Sequence, residues 1–323
     1  MILCCGEALI DMIPAPVAGA VPVVDGADAQ TGFVPHCGGA VFNTAIALGR
    51  LGQTTGLFTG LSRDLFGQQL AAALVASHVD HGFAERSDQP STLAFVHLRD
   101  GHAEYHFFDE NSAGASLRPD RLPELSEDVD TLFFGGISLC NGAAAETYAA
   151  LAARERGRRI IMIDPNVRAG FAKDEAAYRS RLAAMVAGAG IVKVSDEDLH
   201  WIYPGDAPIE EKIRQILAGE AGMGPGLVIL TLGSKGAKGF LRSGPTVEVP
   251  AQVAVVADTV GAGDTFNAGF MAAATEAGVL ADAASGEMDP EQLRVCLGYG
   301  ARAAAVTVSR PGANPPWRDE LAG

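Results

Sequence analysis

From about residue 130 onward the chain alternates short, continuous apolar runs with stretches patterned for helices, which narrows the possible architectures sharply. "TLFFGGISL" precedes "AAETYAALAARERG", and "RIIMIDPN" precedes "YRSRLAAMVAGA". "IVKVS", "IEEKIRQILAG" and "LVILTLG" carry the series to a helix after Gly263. A strand covered on one face alternates apolar and polar residues, whereas a strand apolar throughout is covered on both. Helices between such strands supply the crossovers of a parallel sheet. The pattern therefore predicts a doubly wound α/β domain: a mostly parallel sheet flanked by helices, with ligands bound beyond the carboxyl ends of its strands.

The N-terminal third reads differently. "ILCCGEALIDMI" is expected to be a buried strand, because it lacks the basic region and small-residue cleavage site of a signal peptide. A Pro/Gly-rich piece runs on to Gly32, and "FNTAIALGRLG" and "FGQQLAAALVAS" read as helices. "STLAFVHLRDGHAEYHFFDE" holds two β-rich runs around Arg99, Asp100, Gly101 and His102, a hairpin signature. The expectation is one domain, residues 1–323, carrying a small β-sheet lid built from insertions at about 12–37 and 90–114. A chain of 323 residues with 48% hydrophobic content can bury a large core, yet it contains no apolar run long enough to span a bilayer. The formal charge of −15, with no basic run to offset it, argues against a nucleic-acid partner. The 5 cysteines show no CxxC pair, so reduced thiols and a cytoplasmic location are expected.

Polar residues cluster where the predicted strands end. "DTVGAGDTFNAGF", residues 258–270, sets two acids around a small-residue turn that runs straight into a helix. Neither a GxxxxGK[ST] loop nor a GxGxxG fingerprint fits: "GSKGAKG" has the wrong spacing, and Phe266 stands where the last glycine belongs. Gly261 and Gly263 let a backbone approach a ligand, Ala262 adds little bulk, and successive amides at a helix start form an anion-binding hollow. Asp264 would be held ionised there, ready to take a proton from a hydroxyl; equally, it would serve as an ordinary N-cap. Asn43, after Gly38 and Gly39, either bonds a polyol or caps its helix. Asp11 closes the first run, "DPNVR" (164–168) follows another, Lys193, Ser195 and Asp198 sit in "VKVSDED", and Thr231, Gly233 and Gly236 sit in "TLGSKG". Each has a bland explanation as a turn or solvated strand end. Together on one rim they describe a cleft. His97, His102 and His106 do not form a compact metal set, Lys235 and Lys238 read as solvated turn residues, and Cys37 as a small buried side chain.

Taken together these residues resemble the ribokinase-like (PfkB-type) carbohydrate kinases over nearly the whole chain. "GGAVFNTAIALGRLG" looks like that family's N-terminal signature, and "DTVGAGD" matches its C-terminal one at every fixed position. "GEALID", "FFDENSAGASL", "DPNVR" and "VKVSDED" look most like the bacterial fructokinases within it. The resemblance implies a ribokinase-like fold and an ATP-dependent kinase of a sugar or nucleoside hydroxyl. Asp264 would be the catalytic base, with Gly261, Ala262 and Gly263 as anion hole. Asp11, Gly38, Gly39 and Asn43 would hold the sugar, and Lys193, Ser195, Thr231, Gly233 and Gly236 would line the ATP groove.

Two departures stand out. The family's Asn-x-x-Glu appears as Ser195-x-x-Asp198, so Asp198 is expected to reach Mg²⁺ only through water. Ala301 replaces the Asn that many relatives carry beside the adenine. The resemblance also implies a K⁺ site between 258–260 and 309–312. The exposed face of the lid suggests a homodimer. Fructose is the expected substrate; a 2-keto-3-deoxygluconate kinase is the alternative, since Arg168 would pair a carboxylate. From a different class, the alternative is a non-catalytic sugar-binding sensor.

Overall fold

The computed structural model describes residues 1–16, 31–99, 102–219 and 223–321. Strand β1 (Ile2–Cys5) lies inside a nine-stranded sheet. The chain leaves it for β2 (Leu9–Pro16) and β3 (Thr31–Gly38), part of a separate four-stranded sheet, and returns through helix α1 (Ala40–Arg50). β4 (Thr55–Phe58), β5 (Gly60–Ser62), α2 (Leu65–Ala76), β6 (Val79–Asp80) and β7 (Glu85–Ser87) follow. β8 (Leu93–Arg99) and β9 (His102–Phe108) then complete the smaller sheet.

Strands and helices alternate from β10 (Thr131–Gly135) onward, as the sequence predicts. They run α3 (Gly142–Glu155), β11 (Ile160–Asp164), α4 (Glu175–Gly188), β12 (Ile191–Ser195), α5 (Asp196–Ile202), α6 (Ile209–Ala218) and β13 (Leu227–Thr231). β14 (Ala237–Leu241) and β15 (Thr246–Val249) add an antiparallel edge. α7 (Ala262–Glu276), α8 (Leu280–Ser285) and α9 (Pro290–Val308) close the fold.

The large sheet has the order β15-β14-β13-β12-β11-β10-β1-β4-β6, parallel from β13 to β6. Its central strands are buried almost throughout because both faces are covered, whereas the edge strand β15 alternates. In β1, Ile2 and Cys4 join one core cluster, while Leu3 and Cys5 join another. In β13, Leu227 and Ile229 face the first, Val228 and Leu230 the second. Val41 and Phe42 of α1, Phe270 of α7 and Leu297 of α9 cover one side. Tyr148 of α3, Tyr178 of α4 and Ile213 of α6 cover the other. Each such side chain, taken fully out of water, contributes roughly 1.5–3 kcal/mol. Among the described residues no helix is long and apolar enough to cross a membrane.

The smaller sheet, β3-β2-β8-β9, is made of the two segments read from sequence as insertions, with residues 17–30 outside the described residues. Arg99 pairs with His102 across the expected hairpin, whose Asp100 and Gly101 also lie outside them. One expectation needs correcting. "ILCCGEALIDMI" is not a single strand: β1 stops at Cys5, and Asp11 belongs to β2 of the other sheet. Gly6 marks the break, since a Cβ there would sit 2.4 Å from a Val41 methyl.

Candidate active site

A cleft of about 300 Å³ opens where β1, β10, β11 and β12 end and the small sheet leans over α1 and α7. Its lining includes Glu7, Asp11, Asn43, Asp164, Lys193 and Asp264, with Tyr105 and Phe107 contributed by β9.

The start of α7 sets one wall. Gly261 is its N-cap in the left-handed region at φ 76°, and a Cβ there would lie 2.7 Å from that of Ala313. Glycine alone fits both demands. Among the described residues the amides of Gly263 and Asp264 meet no backbone acceptor, so this helix end presents free N–H groups to the cleft.

Asp264 is not the N-cap that one reading of the sequence allowed. It stands inside the first turn, buried, with no capping bond. Its Oδ2 instead accepts a hydrogen bond from the Asn43 amide at 2.9 Å, across from α1. Neither is the carboxyl simply held ionised. Burial pushes its pKa up to about 7; the Asn43 bond and Lys193 oppose this, while the Asp164 and Glu7 charges add to it. A carboxyl poised near neutrality can take up and release a proton at working pH.

Behind Asp264 lies a buried ion pair. Lys193 Nζ donates to Asp164 Oδ2 at 2.9 Å, and the Asn267 amide donates to the same oxygen at 2.7 Å. Burial works against the Lys193 charge, but Asp164, followed by Asp198 and Asp264, outweighs it and holds the ammonium above its ordinary range. An added Cβ on Gly263 would lie 3.3 Å from that ammonium, so the cation borders the amide hollow.

The small sheet supplies Asp11. Burial, reinforced by the Glu7 charge, raises its pKa to about 6. Gly38 does not line the cleft; a Cβ there would fall 2.0 Å from Asp11 Oδ2, so glycine makes room for the acid on the neighbouring strand. Gly39 does line it, as the N-cap of α1. Arg168 lies on the rim, exposed, with its guanidinium on the carbonyls of Val167 and Asn166 in its own loop. It is not paired with Asp164 at the start of the same loop, which Lys193 holds.

Ser195, Thr231, Gly233 and Gly236 fall outside this cleft. Ser195 and Thr231 pair as neighbours at the ends of β12 and β13. Gly236 has a packing reason of its own, because a Cβ there would lie 2.1 Å from the Val249 carbonyl. Ser195 and Asp198 form a capping box at the start of α5. Asp198 also accepts from the Val167 amide at 2.7 Å, so each of its oxygens already holds a backbone N–H. Among the described residues no cluster of His, Cys, Asp or Glu has the makings of a metal site. Asp258 joins the two segments expected to flank a cation, accepting from Val260 N and Gly312 N. Ala301 is buried in α9, Lys238 pairs with Glu248 at 3.3 Å, and Cys37 is half-buried. Sequence reading passed over Glu7 and Asn267. Asn267 lies one turn beyond Asp264 on α7, and that spacing was its available signal.

The chain is similar to known proteins along almost its full length. Residues 1–320 match the pfkB family carbohydrate kinase profile. A fructokinase of Rhizobium leguminosarum bv. trifolii is 43% identical over 295 residues, covering 91% of this chain and 86% of that one. A fructokinase of Klebsiella pneumoniae is 28% identical over 319 residues, covering 98% and 96%. Among solved structures, a Xylella fastidiosa fructokinase with bound ATP superposes with a TM-score of 0.85 at 26% identity, covering 99% of this chain and 96% of that one.

Proposed function

The chain belongs to the pfkB family of carbohydrate kinases, and from that premise we propose that it moves the γ-phosphoryl group of ATP onto a hydroxymethyl group of fructose. The observation that carries this is Asp264: a buried carboxyl with a pKa of about 7 beside free helix amides. It takes the proton of the sugar hydroxyl as that oxygen attacks the γ-phosphorus, and ADP leaves on the far side. The hollow formed by Gly261, Ala262 and Gly263, with the Lys193 ammonium beside it, bears the charge that builds on the transferring group. Asp11, Gly39 and Asn43 hold the sugar, and Gly38 holds Asp11 in place. ATP lies toward Ser195, Thr231, Gly233 and Gly236, and the small sheet is a lid that excludes water.

Asp198, whose two oxygens each hold a backbone N–H, would meet an Mg²⁺ brought in with ATP only through water. When bound it neutralises phosphate charge. The segments fastened by Asp258 are the proposed place for K⁺. β3 and β9 are the edge strands of the small sheet, and exposed Phe33 and Phe108 on them favour a homodimer through that sheet. Free cysteines among the described residues favour the cytoplasm.

A coupled assay of ADP release over a panel of sugars tests the reading, with fructose expected to give the highest kcat/KM. A preference for 2-keto-3-deoxygluconate would overturn the substrate, and no sugar-dependent ADP release would restore the sensor. Arg168→Ala sharpens the choice, because among the described residues its guanidinium meets only loop carbonyls. On fructose the loss should be on the order of 1 kcal/mol. A keto-acid substrate would lose roughly 2–5 kcal/mol with its charged partner.

A further inference from the structure

The small sheet is joined to the body through short crossings, and one buried side chain ties two of them together. Glu7 lies on the first, between β1 and β2. Its Oε1 accepts from the Ala40 amide at 2.9 Å, on the second crossing, where β3 becomes α1. Its Oε2 accepts from the Ser138 amide at 3.2 Å, in the turn that follows β10 of the body. Its own carbonyl accepts from Phe42 N at 3.2 Å, and the carbonyl of Gly6 before it accepts from Tyr148 Oη at 3.1 Å.

The surroundings are shaped to that side chain. A Cβ on Gly136 would lie 2.1 Å from Oε1, and one on Gly39 would lie 2.9 Å from the Glu7 carbonyl. Both glycines have positive φ, 69° and 106°. Glu7 lines the sugar side of the cleft and also a cavity of about 30 Å³ behind it, so the carboxylate forms part of the partition between them. A buried carboxylate is costly unless donors meet it. Here one donor begins α1, just past the second crossing, and the other lies in the turn after β10.

We infer that Glu7 is a positioning residue: it registers the small sheet on the body so that Asp11, carried by β2, faces Asn43 and Asp264. It need not touch substrate to do this. A glutamine keeps the volume but turns an amide N–H₂ toward one of the two backbone donors, so one bridge is lost. The effect should be local, loosening the small sheet without disturbing the nine-stranded one.

The inference rests on the proposed sugar kinase only for its kinetic readout, so the experiment has two arms. Hydrogen exchange compares the native protein with Glu7→Gln and with Gly136→Ala, which crowds Oε1 and leaves the charge in place. The small-sheet strands should exchange at least about tenfold faster, the large sheet unchanged. In steady-state kinetics the sugar KM should rise about tenfold or more, with the ATP KM within about twofold. Unchanged small-sheet exchange in whichever variant folds would overturn the inference, as would equal rises in both KM values. If neither folds, Glu7 belongs to the general core and the inference is also overturned. A native protein that turns over no sugar would count against the proposed function alone, with the exchange arm still judging Glu7.

Discussion

Asp264→Asn lowers kcat by about 10²–10⁴ while the fold and the affinity for ATP stay near normal. The amide matches the carboxylate in size and keeps an oxygen for Asn43, but it accepts no proton. Stability should move in the opposite direction. The carboxyl titrates near 3.8 ordinarily and at about 7 in the folded protein. Between those values the native state binds the extra proton, so this group costs more stability as pH rises through that window, and the cost is complete above about 7. The asparagine variant is free of it. Its melting temperature should exceed that of the native protein at about pH 8, by a margin that shrinks toward pH 4. The ceiling of the gain is ~4 kcal/mol. Near-native turnover in the folded variant would remove Asp264 from the role of base.

Lys193→Met has a different signature, a loss of both stability and turnover. Asp164 is buried and would keep the Asn267 amide and the Asn166 backbone N–H in place of a full charge. Breaking such a pair from one side costs roughly 3–5 kcal/mol, because the remaining carboxylate stays desolvated without its counter-ion. The double variant Lys193→Met with Asp164→Asn should recover most of that stability, yet none of the turnover, since the cation beside the amide hollow is still missing. Equilibrium denaturation of the single and double variants measures the coupling. A loss below about 1 kcal/mol in the single variant would mean that the pair is not a buried charge pair in solution.

Much of the fold was legible because its physics is local. β10 to β13 announce themselves as continuous apolar runs, and the order of burial in β1 and β13 explains why. The Asp100-Gly101 spacing put the hairpin in register. What failed to show was what depends on contacts distant in sequence. Asp11 was misplaced because nothing local in "CGEALIDMI" tells that one apolar run divides between two sheets. Local spacing left Asp264 open between cap and base, since only the fold brings Asn43 across to it from 221 residues away. Glu7 was passed over for the same reason: its partners Ala40 and Ser138 are 33 and 131 residues distant. Gly38 and Gly236 carry family-like positions, but steric needs for Asp11 and Val249 account for both.

Whether Asp264 is the base of a phosphoryl transfer to a sugar is decided by the pH dependence of kcat/KM for the sugar. The native enzyme should gain activity as pH rises through about 7, where the free-enzyme carboxyl loses its proton, and then level off. Asp11, at about 6, gives any second, lower limb. In Asp264→Asn the limb near 7 should vanish from the residual activity, while the lower one persists. A limb near 7 that survives unchanged in the variant, or a native profile flat through neutrality, would take the role of base away from Asp264.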